Sequence, residues 1–258
     1  MEDYFPNRWR EILHHNDLDS FDKLWDLKLD WFEEPNQRRG GWSGVSRCDL
    51  DLPEGGKTGV FIKRQENHIT RTLFHPFGMS TFIREIQNIL RFKKAAIPAL
   101  EPVYFALRKV AGDLRAILCT EALDGYEPLE SLVERWLKDG WPDRKNRQRL
   151  MEALASVMAR MNDHKIQHNC FYPKHIFVRL SETELSIRII DLEKAKVKMF
   201  RRHASFRDLY ALNRHANGWS RTDRLRFFLL YLGRERLDRE AKLLWRKIVK
   251  RTIRKTKR

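Results

Sequence analysis

Residues 164–193 read HKIQHNCFYPKHIFVRLSETELSIRIIDLE: a polar loop, then an apolar and β-branched strand that delivers Asp191. A polar loop feeding a strand that ends in a carboxylate is the layout of a catalytic loop with a metal-holding aspartate. His168, Asn169, Cys170 and, five positions after the cysteine, His175 fill the loop. Two other chemistries fit the same residues. His164, His168, Cys170 and His175 are all zinc donors, although no partner pair with closed spacing accompanies them and zinc leaves Asp191 without a role. The Cys170 thiol beside His168 could be a nucleophile, although no third orienting residue stands at a recognisable spacing.

The chain of 258 residues is 42% hydrophobic, with 15 Phe and 8 Trp, enough for a large domain or two lobes and too much for a disordered protein. No run of about 18 apolar residues occurs, and the first residues, MEDYFPNRWREIL, are charged throughout, so the expectation is a cytoplasmic protein with neither a spanning helix nor a signal peptide. Cys48, Cys119 and Cys170 lie far apart without C-x-x-C spacing, which predicts reduced thiols. The net charge of +16 calls for an anionic partner. It is densest from Arg246 to Arg258, where eight of thirteen residues are basic, none is acidic, and Ile248, Val249 and Ile253 are interspersed. That pattern predicts a tail docked on an anionic membrane surface. No nucleic-acid partner is expected, because no recognition motif for one is present.

Upstream, residues 3–32 hold short amphipathic helical patterns that predict a helical cap over residues 1–34. Gly40, Gly41 and Gly44 follow in RRGGWSG, where glycines let backbone N–H groups approach phosphates and Arg38 and Arg39 add charge; a simple hairpin turn accounts for the same residues. After the turn signal PEGGKTG comes the strand Val60-Phe61-Ile62-Lys63, ending in a lysine. Phe82, Ile83, Ile86, Ile89, Leu90 and Phe92 keep a helical period, and Glu85 rides on that helix as the natural partner for Lys63. Glu66 is also near Lys63, on the same predicted strand.

Strands over Val103–Leu107 and Ala116–Thr120 bring the total to five strands and one helix by residue 121, and helices over 129–138 and 143–163 lead into the loop at His168. This order is that of a protein-kinase-like fold: a glycine-rich turn, a strand lysine paired with a helix glutamate, a catalytic loop and a metal-binding aspartate. The expected fold is α+β and bilobal, with a β-rich N-lobe (35–122) carrying one main helix, a mostly helical C-lobe (123–245) and a basic tail (246–258). The segment at Glu121 and Leu123 would then be a hinge whose backbone reads an adenine edge.

RRGGWSGVSR, VFIK, REIQ, HNCFYPKH and IIDLEKAK together resemble the lipopolysaccharide core kinases, the WaaP/InaA/Kdo-kinase group, over about residues 35–235. The resemblance implies ATP-dependent phosphorylation of a heptose or Kdo hydroxyl of the lipopolysaccharide inner core, at the cytoplasmic face of the inner membrane. It implies that Lys63 holds the nucleotide phosphates and Glu85 holds Lys63. His175 with Asp191 would hold Mg²⁺, Gly40, Gly41 and Gly44 would cover the phosphates, and Asp208 would be the structural aspartate that ties down the loop. Cys170 stands where the family has the catalytic aspartate, with His168 beside it. A thiol of ordinary pKa, about 8.5, is a poor proton acceptor at neutral pH. The expectation is therefore a slow or altered kinase, with a nucleotide-binding pseudokinase as the alternative.

Overall fold

The structure, a computed structural model, describes residues 2–38, 40–72 and 75–256. Arg39 of the glycine-rich segment and Lys257 and Arg258 of the basic tail lie outside the described residues. The chain forms two compact units, one of residues 1–90 and 100–124, the other of residues 91–99 and 125–258.

In the first unit, α1 (Asn7–His15) and α2 (Phe21–Asp26) precede β1 (Trp31–Arg38), β2 (Gly41–Asp51) and β3 (Lys57–Glu66). The hairpin β4 (Ile69–Thr72) and β5 (His75–Ser80) leads into α3 (Thr81–Lys94), and β6 (Pro102–Val110) and β7 (Asp113–Glu121) complete the unit. The main sheet is antiparallel in the order β1-β2-β3-β7-β6. It has the five strands expected; the β4–β5 hairpin is additional, and its short runs with Pro76 and Gly78 carry no clear alternation.

Strand periodicity decides what each face of this sheet does. Val60 and Ile62 of β3, with Ile117 and Cys119 of β7, join Trp9, Leu13, Phe21 and Leu24 in one buried cluster, so α1 and α2 cover that face. Lys63 and Gln65 project from the opposite one. There Gln65 donates to Ser80 Oγ (2.5 Å) and accepts from Thr81 Oγ1 (2.8 Å), which fixes the start of α3. Phe82, Ile86, Ile89 and Phe92 of α3 are buried at helical spacing.

The second unit begins with β8 (Glu127–Pro128), α4 (Leu129–Asp139) and α5 (Arg144–Asp163). Asp143 caps α5 by accepting from the Asn146 N–H (2.7 Å), as the Pro-Asp signal predicts. Then come β9 (Ile166–Gln167), β10 (Ile176–Leu180), β11 (Leu185–Ile189), β12 (Lys196–Val197), α6 (Arg201–Arg214), α7 (Arg221–Leu232) and α8 (Arg239–Thr256). Ser220 caps α7: its Oγ accepts from the Asp223 N–H and donates to the Asp223 carboxylate.

The C-terminal residues correct one expectation. Arg246 to Thr256 continue α8, Ile248 is buried, Trp245 packs on Phe228, and Arg251 stacks on Phe206 and Tyr210. Ile248 therefore contributes to the core of this unit and is not an apolar residue offered to a membrane. All three cysteines are free, as expected.

Candidate active site

In the first unit Lys63 reaches across the sheet face to α3, where its Nζ donates to Glu85 Oε1 at 2.5 Å. Glu85 is buried, so it is not a solvated helix-face acid. Glu66, the competing partner, is occupied by Arg115 (2.6 Å) and the Trp42 indole (3.4 Å). Lys63 keeps about a fifth of its side chain exposed (21%), against 7% for Glu85, so the acid is fixed and the ammonium retains access to a ligand.

The glycines of β2 have structural causes. A Cβ at Gly41 would lie 1.9 Å from the Glu66 carbonyl oxygen, and one at Gly44 would meet the Trp31 ring at 2.6 Å. Gly40 adopts φ +82° in the β1–β2 turn, with open space beside it. At the end of β7, the Glu121 N–H donates to the Glu101 carbonyl (3.0 Å) and the Ala122 N–H to the Gly59 carbonyl (2.8 Å). These two donors of the expected adenine-reading segment are already committed.

In the second unit the loop is held from below by Asp208 of α6, which is fully buried. Its Oδ2 accepts from the His168 N–H (2.9 Å) and the Asn162 amide (3.4 Å), and its Oδ1 accepts from the Asn169 N–H (3.0 Å). Burial pushes Asp208 up to about 7, against the pull of these donors. Asn162 also donates to the Ile166 carbonyl (3.0 Å) and accepts from Tyr231 Oη (3.0 Å). A buried chain of hydrogen bonds thus runs from α7 through α5 to the loop.

His168 is braced on both nitrogens. Its Nδ1 accepts from the Cys170 N–H (3.2 Å), so the proton sits on Nε2, which donates to the Ile190 carbonyl (2.9 Å). Burial lowers its pKa to about 4, keeping it neutral. With no lone pair to spare, His168 holds the Cys170 and Asp191 segments together; as a proton acceptor or zinc ligand, the roles weighed from sequence, it is unsuited. Asn169 bends the loop with φ +70° and donates to the Lys194 carbonyl (2.7 Å).

His175 Nδ1 donates to the Cys170 carbonyl (2.9 Å) and lies 3.4 Å from Asp191 Oδ2. The carbonyl fixes the tautomer, so Nε2 carries the lone pair available to a metal. Asp191 sits in the left-handed region at φ +58°, a conformation Asp tolerates better than most residues. Cys170 is buried, and burial, followed by the charge of Asp191, raises its thiol above the ordinary value. That shift disfavours the thiolate a nucleophilic cysteine requires.

The expected residues thus form two constellations, Lys63–Glu85 in one unit and His168, Cys170, His175, Asp191 and Asp208 in the other. Asn162 and Tyr231 are not among the residues the sequence singles out, and Asn169 is named there in the loop without a role. Asn162 had a signal: Leu150, Leu154 and Met158 repeat every fourth residue on the buried face of α5, and the next position is the polar Asn162.

Residues 22–231 match the lipopolysaccharide kinase (Kdo/WaaP) family. Protein InaA of Escherichia coli (strain K12) is 30% identical over 197 residues, which cover 76% of this chain and 88% of that protein. A solved structure of WaaP in complex with acyl carrier protein superposes over 100% of this chain and 98% of that one, with a TM-score of 0.70 at 21% identity. The fold is thus the kinase-like α+β fold, and the chain belongs to the lipopolysaccharide kinase (Kdo/WaaP) family of phosphotransferases.

Proposed function

We propose that the chain transfers the γ-phosphoryl group of ATP to a heptose or Kdo hydroxyl of the lipopolysaccharide inner core, at the cytoplasmic face of the inner membrane. The observation that carries this reading is the 2.5 Å Lys63–Glu85 pair, followed in kinase order by a loop tied to Asp208 and by the His175–Asp191 pair. Lys63 binds the nucleotide phosphates, oriented by the buried Glu85, and of the three glycines Gly40, with open space beside it, is the one that brings backbone close to them. With the Glu121 and Ala122 N–H groups committed, Leu123 is the position of this segment that would meet the adenine edge.

The donor set suits a divalent cation. Mg²⁺ takes one or two carboxylates beside waters and substrate phosphates, so Asp191 would be its direct ligand and the His175 Nε2 would assist by accepting from a coordinated water. Held by Asp191, such a cation would supply positive charge against the transferring phosphate. Phosphoryl transfer leans on positioning and electrostatics, which Lys63, Asp191 and the braced loop provide. What the chain lacks is a strong base at position 170, because the buried thiol keeps its proton. The expected enzyme is therefore slow.

A thiol at position 170, where the family has the catalytic aspartate, is also the specific observation that favours a second reading, a nucleotide-binding pseudokinase with a regulatory or scaffolding role. Transfer of label from γ-labelled ATP to purified core oligosaccharide tests the two. The kinase reading expects transfer by wild type and none by Asp191→Ala or Lys63→Ala; nucleotide binding without transfer by wild type supports the pseudokinase. Acyl carrier protein, WaaP's partner in the similar structure, is a proposed partner here as well. Copurification of acyl carrier protein with the full chain tests that partner.

A further inference from the structure

Immediately after Asp191 the chain reads LEKAKVKMFRR, and from Lys194 to Arg202 five of nine residues are Lys or Arg and none is acidic. Leu192 and Ala195 are buried and anchor the run, whereas Val197, Met199 and Phe200 are 54%, 75% and 46% exposed. Nine large apolar residues are strongly exposed among the described residues, and a third of them fall within these four positions. Such clustering is not the scatter expected of an ordinary surface.

The backbone beneath them is fixed. β12 pairs with β9 through Lys196↔Gln167 and Val197↔Ile166, the Lys198 N–H donates to the Lys165 carbonyl (2.8 Å), and Asn169 holds the Lys194 carbonyl. Phe200 is the extended residue preceding α6. Local order thus holds Met199 and Phe200 out in water, at a hydrophobic cost that the fold itself does not recover.

The surrounding charge says what recovers it. Lys194, Lys196 and Arg202 are exposed, Lys165 stands exposed beside them where β9 begins, and Arg202 lies over the Phe200 ring at 5.2 Å. Arg201 is engaged elsewhere, by Asp163 and the Tyr231 ring. Cations alternating with apolar side chains at single-residue spacing match a bilayer interface, where apolar groups enter below the headgroups and ammonium groups stay at the phosphates. A purely electrostatic partner would leave Val197, Met199 and Phe200 unaccounted for. The end of α8, whose Ile248 is buried, offers only Ile253 as a strongly exposed apolar residue among its described positions.

We propose that residues 194–202 form a docking loop that inserts Met199 and Phe200 into an anionic bilayer, with Lys194, Lys196, Lys198 and Arg202 at the lipid phosphates. The inference rests on the membrane-surface location given under Proposed function and assigns it to this loop in place of the C-terminal tail. Because Asn169 bridges the loop to the His168–Cys170 turn, docking would bring that turn towards the surface that carries a lipid-linked sugar.

Cosedimentation of the full chain with vesicles of phosphatidylglycerol and phosphatidylcholine tests the loop. Wild type should sediment with the mixed vesicles and not with phosphatidylcholine alone. Lys196→Glu with Lys198→Glu should lower partitioning at least about 25-fold, each lost cation counting for about fivefold. Met199→Ser with Phe200→Ser should lower it at least about tenfold, and Lys250→Glu with Arg254→Glu on α8 should change it less than about threefold. Unchanged melting by circular dichroism shows that the variants fold. The proposal is overturned if the loop variants partition like wild type, or if the α8 variant abolishes binding. It is equally overturned if the Met199 and Phe200 variant binds normally and wild type binds soluble RNA as tightly as vesicles, which would make the patch a polyanion site. Partitioning is read independently of phosphoryl transfer, so a chain that docks in this pattern and transfers nothing overturns the kinase reading and upholds the docking loop.

Discussion

Replacing Cys170 by aspartate puts a carboxylate at the one loop position where this chain offers a thiol. The backbone there is pinned on both sides, its N–H by His168 Nδ1 (3.2 Å) and its carbonyl by His175 Nδ1 (2.9 Å), so the substitution changes the side chain and little else. Burial and the charges of Asp191 and Asp208 oppose a second negative charge at this position, while Lys194 and Arg207 favour it, the same influences that act on the thiol. A positioned general base is worth roughly 10²–10⁴-fold, and the loose transition state of phosphoryl transfer places the gain near the lower limit. We expect kcat of Cys170→Asp to rise about 10²-fold, equivalent to ~2.7 kcal/mol, with KM for nucleotide and acceptor nearly constant because the gain belongs to the transition state. Cys170→Ala should remain within about threefold of wild type, since a protonated thiol accepts little. Steady-state transfer to core oligosaccharide measures both. If Cys170→Asp binds nucleotide and melts normally but transfers no faster than wild type, residue 170 does not face the acceptor hydroxyl and the reasoning fails.

Glu85→Gln should weaken nucleotide binding by ~1–3 kcal/mol, less than for a fully buried pair because Lys63 is partly exposed; calorimetric Kd values for the two proteins check this. Asp208→Asn sets an amide against backbone N–H donors that a carboxylate accepts, and should lower unfolding stability in urea by ~1–3 kcal/mol. Its pH dependence has a definite sign. Asp208, raised from 3.8 to about 7, contributes stability below its unfolded pKa that is lost as pH rises towards 7. His168, lowered from 6.5 to about 4, contributes stability above its unfolded pKa that is lost as pH falls towards 4. The two slopes oppose each other in wild type, so the deficit of Asp208→Asn should be largest in mild acid and shrink towards neutrality; a deficit that grows with pH contradicts the assignment. Gly41→Ala should cost ~1–3 kcal/mol by thermal melting, because its Cβ would collide with the Glu66 carbonyl oxygen.

Lys63 and Glu85 were legible because two periods place them: alternation along β3 turns Lys63 away from Val60 and Ile62, and helical spacing on α3 sets Glu85 among buried apolar residues. Asp191 was legible as the carboxylate at the end of an apolar run. Where periodicity says nothing, the reading stopped. Whether a histidine is a base, a ligand or a brace depends on what its two nitrogens touch, and His168 is decided by the Cys170 N–H and the Ile190 carbonyl. The Tyr231–Asn162–Asp208 chain joins residues 46 and 69 positions apart, beyond any local pattern. The basic C-terminus was misread in part because charge dominates its composition, while the packing of Trp245, Ile248 and Arg251 depends on α6 and α7. In the KAKVK run the same alternation of charge and apolar residues lies on exposed backbone, and only the exposure of Val197, Met199 and Phe200 shows how much of them the described chain leaves uncovered.

Phosphorus NMR of purified lipopolysaccharide core oligosaccharide, incubated with ATP, Mg²⁺ and the wild-type chain, tests the central claim most directly. A new sugar phosphomonoester resonance, absent with Asp191→Asn, is the predicted result. Saturable nucleotide binding by wild type with no new resonance after prolonged incubation would contradict it.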